Sequence, residues 1–145
     1  MDDFEYDGPI TIDSNTPLRA RAFVPPLIES KVRTQTYLFD ISHSFPVVAY
    51  SADPVEMFDP VIGIYPNFEE DIEIVVNAEL YETDGTQGFN MLFESEIQGT
   101  GTASLAQKSL ALKAKKSLDG SVIPYKVFPD EELSLIHISE PTRPY

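Results

Sequence analysis

Ile72-Glu-Ile-Val-Val-Asn-Ala-Glu-Leu80 and Phe89-Asn-Met-Leu-Phe-Glu-Ser-Glu-Ile97 stand on either side of Asp84-Gly85. In the first run Ile72, Ile74, Val76, Ala78 and Leu80 take every second position against mostly polar partners; in the second, Phe89, Met91, Phe93 and Ile97 do the same. A strand sends successive side chains to opposite faces, so each run predicts a strand with one buried face. Asp-Gly supplies the backbone freedom of a tight turn. The stretch therefore predicts a long antiparallel hairpin and sets the class as mainly β, with a little helix (α+β).

The neighbouring sequence extends this pattern. Downstream, the loop Gly99-Thr-Gly-Thr-Ala-Ser104 leads to a third strand around Lys108 to Lys115, in which Leu110 and Leu112 face one way, and Asp119-Gly120 turns the chain into Val122 to Phe128. Upstream, Phe45 to Tyr50 reads as a strand. Asp53-Pro54 then offers a helix start, with Asp as the cap and Pro at the first helical position, and Asp59-Pro60 ends that helix early. Further back, Leu18–Phe23 and Lys31–Phe39 alternate with period two and predict two half-buried strands, the second with Val32, Thr34, Thr36 and Leu38 on one side. Turn chemistry at Asp13-Ser-Asn-Thr-Pro17 and Pro25-Pro26 bounds the first of them. The polar Asp40-Ile-Ser-His-Ser44 interrupts the strand pattern, so a boundary is expected at residues 40–44.

Composition narrows the function. The 145 residues carry 24 acidic and 10 basic side chains, a net charge of −14, which excludes binding nucleic acid or an anionic surface through a basic patch. Between Arg33 and Lys108 there is no Lys or Arg, while 13 acidic residues fall there. Glu69-Glu70-Asp71 lacks the spacing of a calcium loop, so the acidic run reads as a solvated face. With no cysteine there is neither disulfide nor thiolate chemistry. No apolar run reaches the length of a membrane span, and Met1-Asp-Asp-Phe4 has no signal-peptide character, which suggests a start internal to something longer or cytoplasmic. Membrane insertion is not expected.

At the other end, Leu133-Ser-Leu-Ile-His-Ile-Ser-Glu-Pro-Thr-Arg143 looks like the conceptual translation of a transposase-type sequencing adapter. Residues 133–145, with His137, are therefore set aside as a non-native tail, and the chain is expected to be truncated near residue 132.

Few residues are candidates for chemistry. His43 has no serine or cysteine elbow to work with and reads as an ordinary loop histidine. Carboxylates are so numerous that no pair stands out for glycosidase chemistry. The loop from Gly99, followed by Lys108, is the one constellation with a mechanism: glycines let backbone N–H groups approach a phosphate, and a lysine on the next strand adds a positive charge. The same pattern describes an ordinary β-turn followed by a solvated lysine, and spacing alone favours that reading.

Phe45-Pro-Val-Val48, Asp53-Pro54, Met57-Phe-Asp-Pro60, Gly63-Ile-Tyr65, Ala78-Glu-Leu-Tyr-Glu82, Asp84-Gly85, Gly88-Phe89, Gln107-Lys-Ser-Leu110 and Val127-Phe-Pro-Asp130 resemble, in order and gaps, the N-terminal part of the spore-coat protein H (CotH) kinase family. Gly8-Pro-Ile-Thr-Ile12, Thr16-Pro-Leu-Arg-Ala-Arg-Ala-Phe23 and Ser30-Lys-Val32 are similar to the end of the β-sandwich found at chitobiase C-termini. The resemblance implies four segments: residues 1–39 as the end of a β-sandwich, 40–44 as a linker, 45–132 as the antiparallel β-rich N-lobe of an atypical-kinase-like domain, and 133–145 as the tail. It implies a parent, exported or at the cell surface, that phosphorylates protein substrates with ATP and magnesium, with Lys108 and Gly99 as the nucleotide contacts within this chain. The family's catalytic and metal-binding aspartates fall beyond residue 132, so this chain is expected to be inactive, to need no cofactor and to be prone to self-association through exposed edges. Gln98, Ala103 and Ala111 stand where the family carries cationic side chains, and Ile72-Glu73-Ile74 where it has Trp-Glu-Arg; each change weakens anion binding. The alternative from a different class is an acidic extracellular β-module that binds a protein or glycan without catalysis.

Overall fold

The computed structural model describes residues 4–23, 26, 29–39, 43–99 and 101–128. The expected tail at 133–145 and residues 40–42 of the expected linker lie outside them. The chain divides into two compact units, Met1–Ser42 and His43–Tyr145, and each is taken by itself.

In the first unit, β1 (Thr16–Ala20) pairs antiparallel with β2 (Arg33–Tyr37), with Leu18 opposite Gln35. The alternation expected of β2 is present: Thr34 and Thr36 are buried and Val32 and Leu38 half-buried, while Lys31, Arg33 and Tyr37 are exposed. Strand β1 begins two residues earlier than expected and stops at Ala20, and Ala20 and Ala22 are exposed. The reason lies in the start of the strand. The Thr16 hydroxyl donates to the Ser14 carbonyl at 2.9 Å, and the Asn15 side chain accepts from the Phe39 N–H at 2.7 Å, which fixes the register from that end.

The second unit is built on a four-stranded antiparallel sheet in the order β3 (Val47–Ser51), β4 (Ile74–Tyr81), β5 (Gln87–Gln98), β6 (Ser109–Lys113). The expected hairpin is β4–β5, with Val76 opposite Phe93 and Ala78 opposite Met91. At its turn Gly85 takes φ +84°, a left-handed value that glycine adopts without penalty, and the Asp84 carboxylate accepts from the Thr86 N–H at 2.9 Å. That bond holds the Asp84 carboxyl below its ordinary value. The register slips by one residue between Leu80 and Tyr81, opposite Gly88. A Cβ on Gly88 would lie 2.7 Å from the Tyr125 ring, so glycine there lets Tyr125 pack on the sheet.

One face of the sheet carries the core: Ile74, Val76, Ala78, Leu80, Phe89, Met91 and Phe93, with Met57 and Ile64. The last two arrive on α1 (Pro54–Phe58) and the turn after it. Asp53 caps α1 by accepting from the Val55 N–H at 2.8 Å, with Pro54 in the first turn, as its sequence predicts. The return is tightly tied: the Asp59 carboxylate accepts from the N–H groups of Val61 and Ile62, and a Cβ on Gly63 would lie 2.5 Å from the Asp59 backbone nitrogen.

Leu110 and Leu112 share a face of β6 as expected, Leu110 packing on the core and Leu112 exposed. After the turn at Asp119-Gly120, Val122 to Phe128 forms no strand, although Ile123, Tyr125 and Val127 alternate inward and pack against the core. One expectation is corrected: on the polar face of β4, Asn77 and Glu79 are buried rather than solvated.

Candidate functional site

Gly99 leaves the end of β5 at φ +106°, and a Cβ there would run into the Thr102 hydroxyl. A side chain is therefore excluded twice, by backbone strain and by contact. The chain then folds on itself: the Leu105 N–H donates to the Thr102 carbonyl at 3.1 Å and the Ser104 hydroxyl to the Gly101 carbonyl at 3.2 Å, with Ala103 buried. Lys108 closes the loop just before β6. Gly99 and Lys108 are thus brought to the two ends of one compact loop, as the sequence placed them.

What the loop offers the lysine is different from a phosphate cradle. The Lys108 ammonium donates to the Ala103 carbonyl and, at 3.2 Å, to the Leu105 carbonyl. It also lies 3.9 Å from the centre of the Phe68 ring and 5.8 Å from that of Tyr65. A phosphate site presents N–H donors to an anion, whereas here carbonyl oxygens and aromatic faces converge on a cation. Two of the three ammonium donors are spent on the loop's own backbone. These contacts tie the 99–108 loop to the 63–68 segment. Sequence reading missed Phe68 and Tyr65 because they lie 40 and 43 positions before Lys108, and no local period joins an aromatic pair to a lysine so far along the chain.

The charged residues fall into order on the other face of the sheet. The Lys113 ammonium sits 2.7 Å from a Glu73 carboxylate oxygen and 2.6 Å from one of Glu96, and Lys115 lies 2.7 Å from Glu94. These contacts push both lysines above their ordinary value, Lys113 chiefly through Glu73, and hold Glu73 below its own. The acidic run is therefore partly compensated by cations delivered across strands. Glu69, Glu70 and Asp71 are exposed, as expected of a solvated run. Among the described residues no group of three or more His, Asp and Glu side chains is placed to hold a metal ion.

Glu79 is the exception among the acids. It is 0% exposed and accepts from the hydroxyl of Tyr81 at 2.5 Å, from the Gln87 amide at 3.2 Å and from the Asn77 amide at 3.3 Å. Such a ring satisfies a buried carboxylate. Its sequence signal is faint: polar residues at every second place, Asn77, Glu79 and Tyr81, look the same whether the face is wet or covered.

No family model, curated protein or solved structure matches this chain.

Proposed function

We propose that residues 45–132 are the N-terminal, β-rich part of a CotH-like kinase domain, preceded by the end of a chitobiase-like sandwich over residues 1–39, and that this chain by itself transfers no phosphate. The parent activity in this reading is ATP- and magnesium-dependent phosphorylation of protein hydroxyls by an exported or surface protein. The antiparallel sheet, with a glycine-led loop between β5 and β6 and a lysine at its end, supports the lineage. One observation carries the inactivity: the Lys108 ammonium is turned onto the Ala103 and Leu105 carbonyls. The net charge of −14 opposes a polyphosphate further.

Calorimetry with ATP and magnesium tests this, with Lys108→Ala in parallel. The expected result is no binding tighter than about 1 mM in either protein. Micromolar binding abolished by Lys108→Ala would overturn it, as would transfer of labelled phosphate to any protein.

A second reading, the acidic β-module that binds without catalysis, is favoured by a separate observation. Six large apolar side chains between Phe45 and Ile62 are exposed on a tightly bonded stretch.

A further inference from the structure

Asp-Gly occurs at three places in this chain, Asp7-Gly8, Asp84-Gly85 and Asp119-Gly120. In such a pair the glycine nitrogen, with no Cβ beside it, is able to approach the carboxyl carbon of the aspartate before it. Ring closure between the two needs them in contact and in line, so it depends on how freely both groups move. The structure treats the three pairs differently.

Two pairs are held away from that geometry. At the hairpin turn the Asp84 carboxylate accepts from the Thr86 N–H at 2.9 Å, and the Gly85 N–H donates to the Glu82 carbonyl at 2.9 Å. Both reacting groups are engaged. The same bond lowers the Asp84 pKa, which acts against reaction because the carboxyl reacts in its neutral form. At the turn after β6 the Asp119 carboxylate accepts from the Leu92 N–H at 2.9 Å, and the Gly120 N–H donates to the Lys115 carbonyl at 3.2 Å. Leu92 is buried, so moving Asp119 away would leave that N–H without an acceptor.

The third pair is built otherwise. Asp7 is exposed and lies in neither strand nor helix. Tyr6, directly before it, is 74% exposed and Phe4 is 91% exposed, so even the large side chains of this stretch are left in water. Among the described residues nothing is hydrogen-bonded to the Asp7 carboxylate or to the Gly8 N–H. A Cβ on Gly8 would meet nothing within 4 Å.

We propose that Asp7 is a site of spontaneous backbone modification, isomerising to isoaspartate through a succinimide formed with Gly8, while the fold protects Asp84 and Asp119. The Gly8 nitrogen attacks Cγ of the neutral Asp7 carboxyl. As the N–Cγ bond forms, the C–OH bond breaks, and the hydroxyl leaves with the amide proton as water. A water molecule then opens the ring. Cleavage of the N–Cγ bond restores aspartate, whereas cleavage between that nitrogen and the Asp7 α-carbonyl carbon leaves the chain running through Cγ with a free α-carboxylate. Nothing is oxidised or reduced. The α-carboxylate so released is the group that an isoaspartyl methyltransferase esterifies with the methyl of S-adenosylmethionine. The inference does not use the loop at Lys108 and stands or falls apart from the kinase reading.

The test ages the full chain near neutral pH, counts isoaspartate by methyl transfer from labelled S-adenosylmethionine, and places it by peptide mass spectrometry with electron-transfer fragmentation. Conversion at Asp7 is expected to run at least about tenfold faster than at Asp84 or Asp119, the factor set by breaking the hydrogen bonds that hold those two pairs. In urea the rates at the three pairs are expected to converge. Gly8→Ala, which adds a Cβ in open space, is expected to slow Asp7 by a similar factor and to leave Asp84 and Asp119 unchanged. Equal rates at the three pairs in the folded chain would overturn the proposal. A ranking that persists unchanged in urea would also overturn it, by assigning the difference to flanking sequence rather than to the fold. Methyl acceptance undiminished by Gly8→Ala would put the modification elsewhere and overturn the site.

Discussion

The two faces of the β4–β5 hairpin carry the same number of strands and the same register, yet they are held by different physics. One face is Ile74, Val76, Ala78, Leu80, Phe89, Met91 and Phe93, all buried together. The other is Glu73, Asn77, Glu79, Tyr81, Glu94 and Glu96, held by hydrogen bonds and by lysines from beyond β5. The first is non-directional and follows from area removed from water. The second depends on which oxygen meets which donor, and a single missing partner leaves a polar group stranded. Substitutions on the two faces should therefore differ in size and in kind.

The largest effect belongs to the apolar face. Phe93 is 1% exposed and meets the Phe89 ring edge-on at 6.0 Å. Phe93→Ala removes the ring and leaves a cavity, which costs about 3–5 kcal/mol. Urea denaturation with an unchanged m-value measures it, and the loss should be independent of salt and nearly independent of pH. A cost as small as that of a surface change would mean that the hairpin's buried face is not the centre of the core.

Glu79 comes next and separates the faces in kind. Glu79→Ala removes the acceptor of the buried Asn77 amide and of the Tyr81 hydroxyl, for a loss of about 1–3 kcal/mol. Glu79→Gln keeps the shape and one acceptor, so it should recover part of that loss. If Ala and Gln at position 79 behave alike, the ring of hydrogen bonds is not what stabilises this face.

This difference in physics also explains what the sequence disclosed. Burial by area leaves a period of two in the chain, so the strands of the hairpin, its Asp84-Gly85 turn, the Asp53 cap and the end of α1 were all legible. Pairing by partner leaves no such trace. Nothing near Glu73 announces Lys113, 40 positions on, and nothing near Lys108 announces Phe68. Lys113 and Lys115 do share a parity in their segment, a sign that both would serve one face of the sheet. Val122 to Phe128 shows the opposite failure. Its alternating inward residues imitate a strand, but a segment that packs side chains on a core without joining the ladder has the same pattern. Gly99 was legible as the glycine that opens the loop, where it takes a positive φ, but the Ala103 and Leu105 carbonyls that accept from Lys108 were not.

A smaller effect is expected at the rim of the polar face. Lys113→Ala removes the cation shared by Glu73 and Glu96, both partly exposed, where water and salt screen the pair. Its change in Tm should fall below that of Glu79→Gln and should shrink as salt is added, whereas the change caused by Phe93→Ala should not. A salt-independent loss would assign Lys113 to packing of its aliphatic stem rather than to charge.

The smallest effect is the pH dependence of that same contact, and its sign follows from the direction of two shifts. Lys113 holds the Glu73 carboxyl below its ordinary 4.5, so the stabilisation from Glu73 is complete above 4.5 and is lost as the pH falls through the lowered value. Glu73 and Glu96 hold the Lys113 ammonium above its ordinary 10.5, so its share is complete below 10.5 and is lost as the pH rises through the raised value. Between those limits the contribution is flat. The difference in Tm between the parent chain and Lys113→Ala should therefore be constant from pH 5 to pH 10, in line with those two ordinary values, and should narrow on acidification below that range. A gap that persisted in acid would take Glu73 out of the account and leave the lysine stem packed on the sheet as the cause. A gap that changed near neutral pH would place a different titrating group beside Lys113.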